Sequence, residues 1–111
     1  MENKNYSFEK LIVWQKAHSL VLEIYKMTKE FPKEEIYGLT SQIRRASVSI
    51  SANIAEGFGR RGAKDKLRFY NISKALLNEV RYFLILSNDL NYHNTSNLLK
   101  HREEVEKLLY S

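Results

Sequence analysis

Apolar residues recur along this chain at spacings of three and four, and no stretch alternates apolar and polar residues with period two. The pattern predicts four helices and no sheet. Phe8, Leu11, Trp14, Ala17, Leu20 or Val21, Ile24 and Thr28 form the inward stripe of the first helix, with Ser7 as its N-cap and Glu9 in its first turn. That helix should stop near Glu30, because Pro32 disfavours helical geometry at Phe31. A separate turn at 33–37 leads to the second helix, which begins near Leu39 and points Leu39, Ile43, Ala46, Ile50, Ile54 and Gly57 inward. The glycines at 57, 59 and 62 end it and suit a left-handed cap. The third helix runs from about Ala63 to Asp89, with Phe69, Ile72, Leu76, Val80, Phe83 and Leu90 inward. A turn at Asn91–Asn94 precedes the fourth, from about Thr95 to Leu109, which uses Leu98, Leu99, Val105, Leu108 and Leu109. Short connections favour antiparallel neighbours. The expected fold class is therefore all-α, an antiparallel up-down four-helix bundle, with residues 1–111 as a single domain.

The second helix carries a further signal on its back. A water-facing surface should be mostly charged. Here Val48, Ser49, Ala52 and Ala55 occupy its middle, with Arg44, Arg45 and Glu56 towards the ends. Small residues admit a second backbone closely, so these four positions are the expected oligomer interface. The plainer alternative is cover from another part of the same chain. Arg45 and Glu56 stand about three turns apart and cannot pair within one helix; partners on another copy, or Glu79 and Arg81 on the third helix, are open to them.

Charge changes the picture next. The net charge is +5, and it is uneven: between Gly38 and Lys74 stand eight basic residues and only Glu56 and Asp65 as acids. Such a block suits a polyanion, although a solvated basic surface is the plainer reading. Arg44, Arg45, Arg60, Arg61, Lys64, Lys66 and Arg68 are the candidate nucleic-acid contacts. Cysteine is absent, which removes disulfides and thiolate metal sites. The polar start, Met1 to Asn5, lacks a signal-peptide core, and no apolar run approaches the ~18 residues of a membrane span. A cytoplasmic location is expected.

Catalytic chemistry finds little purchase. A carboxylate-bridged metal pair in a bundle needs Glu-x-x-His on two helices, yet Gln15, Leu90 and Leu98 precede His18, His93 and His101. No HExxH, Walker loop or nucleophile elbow is present. Gly57-Phe58-Gly59-Arg60-Arg61-Gly62 matches GxGxxG letter for letter, but the dinucleotide fingerprint follows a strand in a parallel sheet. Here a helix precedes it, so the run reads as a helix stop and turn. Its backbone amides, with Arg60, Arg61 and Lys64, are a weaker candidate for one bound phosphate. No catalytic residue, metal or cofactor is expected.

The runs Gln42-Ile43-Arg44-Arg45-Ala46, Ser47-Val48-Ser49-Ile50 and Asn53-Ile54-Ala55-Glu56-Gly57 resemble one family closely: the bacterial four-helix proteins encoded by intervening sequences in 23S ribosomal RNA genes. Leu11 to Ala17, Tyr25, Phe31-Pro32, Glu35 and Tyr37-Gly38-Leu39 fit the same pattern, so the likeness spans nearly the whole chain. Ala75 and Leu76 depart from a Gly-Ser often found ahead of the acid at Glu79. A looser resemblance reaches the accessory protein of diversity-generating retroelements. The resemblance implies an antiparallel bundle, a homo-oligomer with a pentameric ring favoured, and association with RNA or DNA. The competing expectation is a protein-interaction scaffold, such as an adaptor for a reverse transcriptase.

Overall fold

The computed structural model describes residues 7–110, and within them it contains four α-helices and no strand. They are α1 (Ile12–Thr28), α2 (Leu39–Phe58), α3 (Ala63–Asp89) and α4 (Ser96–Tyr110). Single 3-10 turns stand at Phe8–Lys10 and Lys33–Glu35. Each helix packs on the next and α4 packs back on α1, with the α2–α3 contact the most extensive.

The expected start of the first helix needs correction. Ser7 makes no side-chain cap bond, and Leu11 is extended between the 3-10 turn and α1. The break lets Phe8 pack edge-on against Trp14, with ring centroids 5.1 Å apart. Downstream the stripe holds: Ala17, Leu20, Val21, Ile24, Met27 and Thr28 are buried.

All six residues of the α2 stripe are buried, with Thr40, Ser47 and Ser51 between them. The glycine cap, however, is not left-handed. Gly59 has φ −77°, and no described glycine has positive φ. Lys66 does the capping instead: its Nζ donates to the carbonyls of Phe58 (2.8 Å) and Gly57 (3.3 Å). These are C-terminal carbonyls that the helix itself cannot satisfy. Gly57 serves close approach, since a Cβ there would lie 2.7 Å from the Tyr70 ring.

The left-handed end belongs to α3. Asn91 has φ 62°, its N–H reaches Asn88 O, and the N–H of Tyr92 reaches Ser87 O at 2.9 Å. That pair of bonds is a Schellman end.

The inward face of α3 is rotated from the expected one. Ser73, Leu77, Val80, Leu84 and Ser87 are buried, whereas Ile72 and Leu90 are exposed and Leu76 and Phe83 only flank the core. Burying two serines is possible because each hydroxyl donates to a carbonyl: Ser73 to Ile50 O at 2.9 Å and Ser87 to Phe83 O at 2.7 Å. On α4, Leu98 and Val105 are buried as expected, Leu108 is exposed, and Arg102 is buried unexpectedly. A buried charge requires partners: the two terminal nitrogens of Arg102 reach Glu106 at 2.9 Å and Leu77 O at 3.3 Å, while its Nε is buried without one.

Candidate nucleic-acid interface

The junction of α2 and α3 gathers five of the seven candidate cations at one end of the molecule. α2 stops at Phe58, α3 starts at Ala63, and the four residues between leave Arg60, Arg61, Lys64, Lys66 and Arg68 together. Arg44 and Arg45 are not part of this cluster. They lie near the other end of α2, about 20 Å along its axis at ~1.5 Å per residue.

The seven differ in what they already hold. Arg44 donates to Thr28 Oγ1 at 2.8 Å and lies 4.6 Å from the Tyr25 ring centroid, tying α2 to α1. Lys66 is spent on the α2 carbonyls. Arg60 pairs with Glu56 at 2.9 Å and approaches Asp65 at 3.7 Å. Arg68 pairs with Asp65 at 3.2 Å. The guanidinium carbons of Arg60 and Arg68 each lie 4.6 Å from the centroid of Phe69. Arg61, Lys64 and Arg45 are exposed, and no ion pair or side-chain hydrogen bond engages them. Asp65 occupies the first turn of α3, where its charge already complements the positive end of the helix. That weakens the single-phosphate reading of the glycine run, and no strand accompanies it among the described residues.

The outward face of α2 is open. Val48 is 42% exposed, Ala52 is exposed, and Ser49 and Ala55 are half-buried. No other part of the described chain covers Val48 or Ala52. A groove beside them is lined by Gln42, Arg45, Ser49, Leu76 and Glu79, so Arg45 and Glu79 share one face without an ion pair between them. Glu56 is paired with Arg60 and does not need Arg45.

The opposite end of α2 contains residues whose role sequence reasoning did not assign. Glu35 accepts the Leu39 N–H at 3.0 Å and the Tyr92 hydroxyl at 2.8 Å. The Leu39 amide, then the Tyr92 hydroxyl, hold its carboxyl below the ordinary value, against a smaller upward effect of burial. The same bond to Glu35 raises the Tyr92 phenol. A Cβ on Gly38 would meet Glu35 Oε1 at 2.8 Å, so a side chain there would push the carboxylate from its place. The spacing of Glu35 four residues before Leu39 was the available signal.

The histidines stand apart: His18 stacks on Trp14, His93 lines a surface cleft beside Glu30, and His101 contacts Glu23. Among the described residues no cluster of three or more metal-ligating side chains occurs, and no helix is long and apolar enough to cross a membrane.

Residues 9–111 match the family model described as 23S rRNA-intervening sequence protein. The fold is similar to the crystal structure of a protein of unknown function from the S23 ribosomal protein family of Bacteroides thetaiotaomicron. The TM-score is 0.79 at 26% identity, covering 88% of this chain and 94% of that one. No curated protein matches the chain.

Proposed function

The chain belongs to the 23S rRNA-intervening sequence protein family, and we propose that it is a non-enzymatic, oligomeric nucleic-acid-binding module whose contact surface is the α2–α3 end. The observation that carries this reading is the pair Arg61 and Lys64, exposed and without internal partners, in a cluster where Arg60 and Arg68 add partly neutralised charge. Exposed cations release counterions when they meet phosphates, so binding of this kind is salt-dependent. Repetition of the cluster around a ring adds weak contacts through multivalency.

In this reading the four helices run antiparallel in up-down order and the protein works in the cytoplasm. Copies pack through Val48, Ser49, Ala52 and Ala55, in a pentameric ring as the family resemblance implies. The open face of α2 supports this, because an apolar residue such as Val48 gains from cover that the described chain does not supply. Arg45 serves that interface better than it serves nucleic acid, given its place beside Glu79 and away from the cluster. Ala52→Arg should shift the protein to a smaller species in a sizing run. An unchanged oligomer, or a monomeric wild type, contradicts the interface.

The nucleic-acid reading is tested by fluorescence anisotropy on structured RNA and duplex DNA from about 50 to 200 mM salt. Affinity should fall steeply with salt, and Arg61→Ala with Lys64→Ala should weaken binding and flatten that dependence. A flat signal at every salt removes the reading. A second reading, an adaptor for a protein partner, is favoured by one feature: Tyr37 is 96% exposed beside Ile36 at 53%, at the far end of α2. Tyrosine is a frequent interface anchor. Retained nucleic-acid binding with Tyr37→Ala separates the two surfaces.

A further inference from the structure

The α2–α3 end contains more than loose positive charge. Phe69 is half-buried at the base of the cluster, and the guanidinium carbons of Arg60 and Arg68 each lie 4.6 Å from its ring centroid. Asp65 approaches both groups, Arg60 Nε at 3.7 Å and Arg68 at 3.2 Å, while Glu56 holds Arg60 from the α2 side at 2.9 Å. One ring and two carboxylates therefore favour one orientation of two long side chains that would otherwise sample many rotamers. Their side chains remain 39% and 62% exposed.

This arrangement has a chemical consequence. The carboxylates already neutralise much of the charge on Arg60 and Arg68, so a phosphate has to compete with Glu56 and Asp65 for them. What each guanidinium still offers is its planar face, and a guanidinium plane stacks on flat π-systems. Bases within a duplex have their faces occupied by neighbouring pairs, whereas unpaired bases are free to stack on aromatic or arginine planes. Arg61 and Lys64 stand beside this platform with charges not already committed, placed for the phosphates that flank such a base.

Resting on the nucleic-acid reading above, we propose that this site takes unpaired nucleotides, in a single strand or a loop, by stacking a base on the Arg60–Arg68 guanidinium pair while Arg61 and Lys64 hold the adjoining phosphates. Phe69 and Asp65 are positioning residues: they orient the guanidinium groups and need not touch the ligand.

The test compares single-stranded oligoadenylate RNA, the same sequence as DNA, and a hairpin duplex with an equal number of phosphates, each titrated by anisotropy at one fixed salt. The single strands should bind about tenfold more tightly than the duplex, in line with the usual contribution of one stacked base. Arg60→Lys with Arg68→Lys keeps the charge and removes the planes. This variant should lose the single-strand preference while its salt dependence stays as in wild type. A thermal melt confirms that the variant folds, and Arg61→Ala with Lys64→Ala should weaken single strand and duplex alike. Equal wild-type affinity for single strand and duplex overturns the stacking site and leaves the electrostatic reading standing, as does a full preference retained by the lysine variant. Absence of binding to all three probes at the lowest salt removes both. A preference shared by RNA and DNA strands identifies the base as the recognised group; a preference confined to RNA assigns recognition to the ribose hydroxyl and overturns the stacking account.

Discussion

The two ends of α2 are closed by opposite charges. At the N-terminal end, Glu35 accepts the first amide of the helix and a hydroxyl from the α3–α4 connection. At the C-terminal end, Lys66 donates to the last two carbonyls. Each charge opposes the helix dipole correctly. The difference is in what is left over. Around Glu35, the carboxylate, the Tyr92 hydroxyl and the Leu39 amide are all consumed by the fold, and the Phe31 and Tyr92 rings close the space at 5.3 Å. Around Lys66, the capping role needs one cation of five, and Arg61 and Lys64 remain uncommitted. Charge density near a helix end therefore says little about binding until the charges already in use are subtracted.

The contrast can be broken at several strengths. The largest effect is expected at Gly57, where a methyl group would lie 2.7 Å from the Tyr70 ring. Gly57→Ala should cost ~1–3 kcal/mol in chemical denaturation, the usual range for overpacking. An unchanged midpoint would show that Tyr70 moves aside freely and that the α2–α3 contact is not tight there. Next comes Lys66→Ala, which takes its side-chain donor from the Phe58 carbonyl and leaves the Gly57 carbonyl with the Arg60 N–H alone, and should cost about 1 kcal/mol.

A pH profile sharpens the other end. The folded Glu35 carboxyl titrates below its ordinary value of 4.5, so its contribution is complete above that value and is lost as pH falls through the lowered one. Tyr92 titrates above its ordinary 10.0, so its contribution is present below pH 10 and fades as pH rises through the raised value. Glu35→Gln should flatten the acid limb of the stability curve and leave nucleic-acid binding alone. The smallest effect is at Gly62, which has negative φ and where an added methyl group would meet no neighbour within 4 Å. Gly62→Ala should be neutral or gain up to about 1 kcal/mol through the unfolded state. A large loss there would mean that the glycine run has a role beyond a turn.

Much of α2 was legible because its inward residues are apolar at strict helical spacing, and Ile43, Ile50 and Ile54 are indeed fully buried. The register of α3 was not. Its buried face includes Ser73 and Ser87, whose hydroxyls bond to backbone carbonyls, so a search for apolar residues alone slid to Leu76 and Phe83 and missed Leu77 and Leu84. Arg102 was hidden for the same reason: a charged letter reads as surface until Glu106 and the Leu77 carbonyl are seen beside it. The basic end was legible as a count of charges. Its division into Lys66 as cap, Arg60 and Arg68 on Phe69, and Arg61 with Lys64 free was not, because pairing depends on how the turn folds back on α2.

The most direct test of a binding end places equal charge changes at both ends of the molecule. Arg61→Glu with Lys64→Glu alters the α2–α3 junction, and Lys29→Glu with Lys33→Glu alters the exposed connection ahead of Glu35 by the same net charge. Anisotropy with single-stranded RNA at one salt should show binding abolished by the first pair and nearly unchanged by the second. Equal losses from both pairs would contradict the account, since only total charge, and not a built surface, would then hold the nucleic acid.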